Sequence, residues 1–194
     1  MRSRPLAVAG ALEFTPEVFP DARGRFTSTF QGEPFAAAHG TPLFAVAQAS
    51  YSTSRRDVLR GVHYNARFPG VAKYVTCPAG SALDFLVDLR LGSPTFGRHD
   101  VVRLDAEHAR ALYVPPGVGH AFLALTDGTL MAYLLSAPYD PTDELALSPF
   151  DPALGLPLPD GLRPVVSPRD RAARTLAEAR AADALPTYQP HHGS

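Results

Sequence analysis

Ala111-Leu112-Tyr113-Val114-Pro115-Pro116-Gly117-Val118-Gly119-His120-Ala121-Phe122-Leu123-Ala124-Leu125 decides the fold. An apolar, β-like run stops at a Pro-Pro-Gly breaker, and a second apolar run starts within a few residues. Each run is too short for an amphipathic helix, and the breaker leaves room only for a tight turn. The same grammar recurs on both sides. Residues 43–50, 71–77, 82–89 and 130–135 read as short strands. Pro69-Gly70, Pro78-Ala79-Gly80, Gly92-Ser93-Pro94 and Asp127-Gly128 separate them, and the last carries a hairpin signal. Short strands with such turns predict a mainly β sandwich or barrel.

The 194 residues suffice for one domain with a sizeable core. At 45% hydrophobic and 19% charged, the chain is globular and not disordered. A net charge of -1 argues against a nucleic-acid binder, so any anion site must be local. No apolar run approaches a membrane span, and the N-terminus lacks a signal-peptide pattern. The single cysteine, Cys77, excludes an intrachain disulfide and a cysteine-cluster metal site. A cytoplasmic location is the expectation. Helix is scarce. Residues 34–39 predict a short one closed by Gly40. A longer one is predicted from Ser167, the N-cap, through Pro168 and a capping-box Asp170, across residues 171–184. The division expected is a single domain over residues 1–186 and a loose tail over 187–194, with His191-His192-Gly193-Ser194 disordered.

Arg60-Gly61-Val62-His63-Tyr64 holds the first candidate chemistry. In a regular strand Arg60 and His63 would face opposite sides. Gly61 permits a bulge that turns both toward one cavity. A fixed cation beside a neutral-pH base suits an anionic substrate that must lose a proton. Taken alone, a surface arginine and a satisfied histidine explain the stretch at least as well. His120 reads equally as a core histidine bonded to a buried carboxylate, with Asp84 the obvious partner. Lys73 sits in an otherwise buried run and is either an edge-strand blocker or a partner for a developing negative charge. Tyr133 reads first as packing, and Asp170 as a helix cap.

Pro116-Gly117-Val118-Gly119-His120 resembles the second sequence box of the cupin superfamily. Metal-binding cupins carry two histidines in their first box. Here the matching stretch is His63-Tyr64-Asn65, which lacks the second, so no metal is expected. Across the chain, the motifs resemble those of the dTDP-4-dehydrorhamnose 3,5-epimerases, cupin-fold sugar-nucleotide epimerases. They are Asp21-Ala22-Arg23-Gly24-Arg25-Phe26, Val58-Leu59-Arg60-Gly61-Val62-His63-Tyr64 and Asp88-Leu89-Arg90-Leu91-Gly92-Ser93-Pro94. They continue with the His120 stretch, Tyr139-Asp140-Pro141, Asp151-Pro152-Ala153-Leu154-Gly155 and Ser167-Pro168-Arg169-Asp170. Their order over residues 21–170 makes the resemblance specific.

The resemblance implies a cupin-type jelly roll and assigns roles. His63 is the general base, oriented by Asp170. Lys73 stands near the C4 keto oxygen, and Tyr133 is the acid on the opposite face. Arg60 holds the diphosphate, aided by Arg23 from a partner subunit. Phe26, Gln48, Tyr139 and Glu144 line the substrate site, and His120 joins them, with Asp84 as a structural support. The implied partner is a second copy, in a homodimer that exchanges N-terminal strands. No cofactor is implied.

The chemistry agrees. A proton on carbon beside a ketone has a pKa of roughly 18–20 against about 6.5 for imidazole, a gap of about 16–18 kcal/mol. A histidine therefore needs help, and a lysine aimed at the keto oxygen stabilises the enolate. Asp170 fixes the imidazole tautomer. Inversion needs a proton from the other face, which suits a phenol.

Ser28, Ser50 and Asn65 depart from the rhamnose-pathway pattern of an acid, an asparagine and a glutamine. The chain therefore resembles the antibiotic-deoxysugar branch. C5 inversion of a dTDP-4-keto-6-deoxyhexose is the minimum expected, with C3 and C5 together possible. The alternatives are a 3-epimerase, a 3,4-ketoisomerase, a non-catalytic sugar-nucleotide binding module and a metal-dependent cupin oxygenase. The pair His63 and Tyr133 speaks against the binding module, and Asn65 against the oxygenase.

Overall fold

The computed structural model describes residues 1–190. Its strands are β1 (Arg2–Pro5), β2 (Leu12–Thr15), β3 (Val18–Asp21), β4 (Gly24–Thr27), β5 (Gln48–Ser54), β6 (Leu59–Asn65) and β7 (Lys73–Ala79). They continue with β8 (Ser81–Asp88), β9 (His99–Asp105), β10 (Ala111–Val114), β11 (Val118–Ala124), β12 (Thr129–Leu135) and β13 (Glu144–Ala146). Helices α1 (Gly32–His39), α2 (Pro168–Arg171) and α3 (Leu176–Ala181) are short. The order β1-β2-β10-β7-β12-β5 forms a six-stranded sheet, and β13-β6-β11-β8-β9 a five-stranded one. The strands pair antiparallel throughout, in the sandwich form of the expected cupin-type jelly roll.

Alternation along the strands builds three apolar layers. Val75, Cys77, Leu86, Val114, Phe122 and Met131 fill the space between the sheets. Leu59, Val62, Tyr64, Phe85 and Val87 pack outward under the C-terminal segment, against Leu154, Ala179 and Leu185. On the other side Phe35 of α1 covers Phe14, Tyr74 and Tyr113 of the six-stranded sheet. The C-terminal segment thus covers the outer face of the five-stranded sheet.

Several local expectations are corrected. Asp127-Gly128 does not close a hairpin, because β11 and β12 lie in different sheets and the turn carries the chain between them. The strand predicted over 43–50 begins only at Gln48 and runs to Ser54. The single C-terminal helix is two. Arg174 pairs with Leu147 and accepts from the Ser148 N–H at 2.8 Å, which straightens the chain. Thr175 then caps α3 afresh, in a capping box with Glu178. Asp170 makes half of its predicted capping box: its N–H donates to Ser167 Oγ, while its carboxylate reaches elsewhere. The tail is not loose at its start. Thr187 bridges to Leu91, the Tyr188 N–H donates to the Leu91 carbonyl at 2.9 Å, and the Tyr188 ring lies 5.0 Å from the Arg90 guanidinium. The reading of residues 191–194 falls outside the described residues.

Candidate active site

Strand β6 carries the centre of the site. Its outward-packing residues are Leu59, Val62 and Tyr64. Two residues, Arg60 and Gly61, stand between the first pair, where regular alternation allows one. The register with β11 shifts at this point, pairing His63 with His120 but Arg60 with Phe122. This is a bulge, and it puts Arg60 and His63 on the same side of the strand. Gly61 is required here: its φ is 110°, and a Cβ would stand 2.5 Å from the His120 carbonyl oxygen.

Asp170 enters from the cap of α2. His63 Nε2 donates to Asp170 Oδ1 at 2.7 Å, and the Gly61 N–H reaches Asp170 Oδ2 at 3.4 Å. Burial pushes the Asp170 carboxyl up, but the bonds from His63, Gly61 and Ser167 outweigh it and hold the group below its ordinary value. With Nε2 committed to a carboxylate, His63 Nδ1 is left as the acceptor. A cavity of about 410 Å³ opens here, lined by Arg60, His63, Ser167, Arg169 and Asp170.

A second cluster lies between the sheets. His120, the cross-strand neighbour of His63, sets Nε2 at 2.9 Å from both oxygens of Asp84. The Tyr133 ring, from the opposing sheet, meets the His120 ring edge-on at 6.2 Å. Lys73 is 8% exposed, and burial drives its amine below the ordinary value while Glu144 and Asp84 pull it back. Burial raises Asp84, with His120 and Lys73 opposing. Burial likewise raises the Tyr133 phenol, and Ser52 and Arg60 oppose it.

Further side-chain bonds tie the surrounding strands and loops together. Arg60 Nε donates to Ser54 Oγ at 3.2 Å. Gln48 Oε1 accepts from the Tyr139 N–H at 2.8 Å, while its Nε2 donates to Ser50 Oγ at 2.8 Å. Glu144, paired with Asn65 in register, accepts from Arg169 Nη1 at 3.1 Å. Asn65 Nδ2 donates to Asp143 at 2.9 Å.

The fold thus links His63 to Asp170, His120 to Asp84 and Tyr133, and Gln48 to Tyr139, with Arg60 near Tyr133 and with Lys73 near Asp84 and Glu144. It does not bring Arg23 and Phe26 to these groups within one chain. They sit on the β3–β4 hairpin, which joins neither sheet, with Phe26 67% exposed and Arg23 bound to Asp21 at 2.5 Å. Arg169 and two inward-facing serines of β5, Ser52 and Ser54, were not among the expected site residues. Arg169 precedes Asp170 in a motif already singled out, and the serines alternate visibly in Gln48-Ala49-Ser50-Tyr51-Ser52-Thr53-Ser54.

An imidazole bonded to a buried carboxylate thus stands on one sheet and a phenol on the facing sheet, with a buried lysine near Asp84 and Glu144, inside a jelly-roll fold. Residues 5–178 match the family model for dTDP-4-dehydrorhamnose 3,5-epimerase. The chain belongs to the dTDP-4-dehydrorhamnose 3,5-epimerase family. It is 46% identical to the dTDP-4-dehydro-6-deoxyglucose 3-epimerase of Streptomyces bikiniensis, over 95% of this chain and 94% of that one. It is also 46% identical to the dTDP-4-dehydrorhamnose 3,5-epimerase of Mycolicibacterium smegmatis, over 97% and 92%. Among solved structures, NovW, a 4-keto-6-deoxy sugar epimerase from the novobiocin cluster of Streptomyces spheroides, superposes with a TM-score of 0.93 at 48% identity, covering 97% of this chain and 94% of that one.

Proposed function

We propose that this chain epimerises a dTDP-4-keto-6-deoxyhexose at a carbon flanking the C4 ketone, at C5, C3 or both, in the making of an antibiotic deoxysugar. The observation that carries the reading is that His63 and Tyr133 come from opposing sheets, with His120 the cross-strand neighbour of one and in ring contact with the other. His63 Nδ1 takes the proton from one face of the sugar, and Asp170 stabilises the imidazolium that forms. The electron pair moves onto the C4 oxygen, and the Lys73 ammonium donates a hydrogen bond to the enolate oxygen that forms. Tyr133 returns a proton to the other face. Arg60 and Arg169 flank His63 and hold the diphosphate, Gln48, Tyr139 and Glu144 frame the nucleotide, and His120, held by Asp84, lines the sugar pocket.

Two solved structures of one relative support this. A 3'-monoepimerase from S. bikiniensis has been solved with dTDP-quinovose. The same enzyme has been solved with dTDP and with a histidine and a tyrosine replaced, spaced as His63 and Tyr133 are here. The named activities of 3-epimerases and 3,5-epimerases share C3, so C3 is the first carbon to examine and C5 separates single from double inversion.

The test is incubation with dTDP-4-keto-6-deoxyglucose in deuterium oxide, read by NMR. Deuterium at C3, C5 or both, with inverted product and loss of both signals in His63→Ala, is expected. A folded protein that exchanges neither carbon defeats the reading for that substrate.

Residues 1–186 act as one catalytic domain in this reading, and two copies form the working enzyme. The outer face of the six-stranded sheet exposes Ala49, Tyr51, Leu130, Ala132 and Leu134 around a hollow of about 390 Å³, a surface suited to a second copy. The exposed β3–β4 hairpin then delivers Arg23 and Phe26 to the partner's cavity. Mixing inactive Arg23→Ala and His63→Ala chains tests this. Hybrid dimers with exchanged hairpins contain one intact site and regain activity, whereas hairpins serving their own chain leave the mixture inactive. Among the described residues no helix is long and apolar enough to cross a membrane.

A further inference from the structure

Strand β5 turns Gln48, Ser50, Ser52 and Ser54 to the interior and Ala49, Tyr51 and Thr53 to the outside. Two of the three inward serines are engaged: Ser50 accepts from Gln48, and Ser54 from Arg60. The Ser52 hydroxyl is buried and closes no hydrogen bond. Leaving a buried hydroxyl unbonded is costly, so such a group points to a partner in another state of the molecule.

The strand register identifies that partner. Tyr133 lies opposite Ser50 and Met131 opposite Ser52, so Ser52 and Tyr133 are diagonal neighbours on one face, within reach of a long aromatic side chain. Burial raises the phenol, and Ser52 is the first group to oppose that. The hydroxyl therefore approaches the phenol without meeting bonding geometry in this state.

We propose that Ser52 is the positioning residue for Tyr133, donating its hydroxyl hydrogen to the phenol oxygen as the phenol protonates carbon. This rests on the epimerase reading above. In the step, the Tyr133 O–H bond breaks and its proton forms the new C–H bond. The enolate pair supplies that bond, and the C4 carbonyl is restored. The O–H pair stays on the phenolate oxygen, which later regains a proton from solvent. A phenolate between packed sheets has lost most of its hydration. Ser52 supplies a fixed donor to the charge, and Ser50 and Ser54 are already occupied.

The test uses Ser52→Ala and Ser52→Thr in deuterium oxide, comparing two rates on one sample. One is deuterium entry into recovered substrate at the reacting carbon, which needs only His63. The other is formation of inverted product, which also needs Tyr133. In Ser52→Ala the enolate returns more often to His63, so the ratio of exchange to inversion rises by on the order of tenfold or more. Ser52→Thr, which keeps the hydroxyl, restores the native ratio. The ultraviolet titration of the Tyr133 phenol, taken as the difference from Tyr133→Phe, moves upward in Ser52→Ala. A purely structural defect lowers both rates together, and an unchanged ratio with an unmoved titration overturns the assignment. Wild-type protein showing neither exchange nor inversion defeats the epimerase reading itself, which separates the two failures.

Discussion

Two pleats apart on the inner face of β8, Asp84 and Asp88 are both fully buried, yet they shift in opposite directions. Asp88 accepts from Arg90 Nε at 2.9 Å, Arg90 Nη2 at 2.8 Å, Ser93 Oγ at 2.6 Å and Thr95 Oγ1 at 2.6 Å. Burial raises it, but these donors together hold the carboxyl below its ordinary value. Asp84 takes its hydrogen bond from His120, and burial wins over His120 and Lys73. The lesson concerns saturation. A buried carboxylate given a full set of donors is locked as a strut. One left short of donors stays adjustable, and this one stands near Lys73 and Tyr133, the lysine and phenol of the proposed reaction.

The largest effect expected is on the strut. Asp88→Asn leaves the buried Arg90 charge without its partner and should cost about 3–5 kcal/mol of unfolding free energy, while activity per folded molecule persists. Denaturant unfolding checks the first and titrated active sites the second. Asp84→Asn should change stability by no more than about 1 kcal/mol, since an amide oxygen still accepts from His120. Its effect falls on Lys73, which loses a neighbour that favours its charged form, so the alkaline limb of kcat should move to lower pH. If Asp84→Asn unfolds the protein and Asp88→Asn silences it, the comparison is reversed.

The pH dependence of stability sharpens the contrast because the signs differ. Asp88 titrates lower in the fold than in the unfolded chain, where it sits near about 3.9. Its contribution is full above that value and is lost as pH falls through the lower folded one. Asp84 titrates higher in the fold. Its contribution is full below about 3.9 and is lost as pH rises through the folded value. Relative to wild type, Asp88→Asn should therefore worsen, and Asp84→Asn improve, as pH is raised from about 3 toward neutrality. Parallel slopes in the two variants would show that both carboxylates are held alike.

The strut and the site were not equally legible in the sequence. The jelly-roll class was readable because short apolar runs and Pro/Gly breakers are local signals. So was the bulge at Gly61, since only a glycine between Arg60 and His63 lets both face one way. The saturation of Asp88 was not, because Arg90, Ser93 and Thr95 converge on it only after the loop folds back. Nor was the break at residues 172–174: helix propensity favours continuing, and the pairing of Arg174 with Leu147 overrides it. The sheet change at Asp127-Gly128 escaped for the same reason, since a turn's residues specify its bend and not which sheet receives the next strand. Ser52 was visible as part of an alternation, but its vacant hydroxyl depends on what Gln48 and Arg60 do with the serines on either side.

The smallest effect tests how far the strut extends. Arg90 ties Asp88 to the N-terminal loop, donating to the Ala9 carbonyl at 2.7 Å, and to the C-terminal segment through the Tyr188 ring. Tyr188→Ala removes that ring but keeps the backbone bonds that hold the segment to Leu91. The expected cost is about 1 kcal/mol, the usual size of a partly desolvated cation–π contact. For a chain of this length that is a fall in Tm of roughly 2–4 °C. Exchange and inversion rates should stay at native values, because Arg90 answers to Asp88 while Lys73 and His120 answer to Asp84. A loss of turnover without a change in Tm would mean that the C-terminal segment acts on the reaction cluster, and that strut and site are coupled along β8.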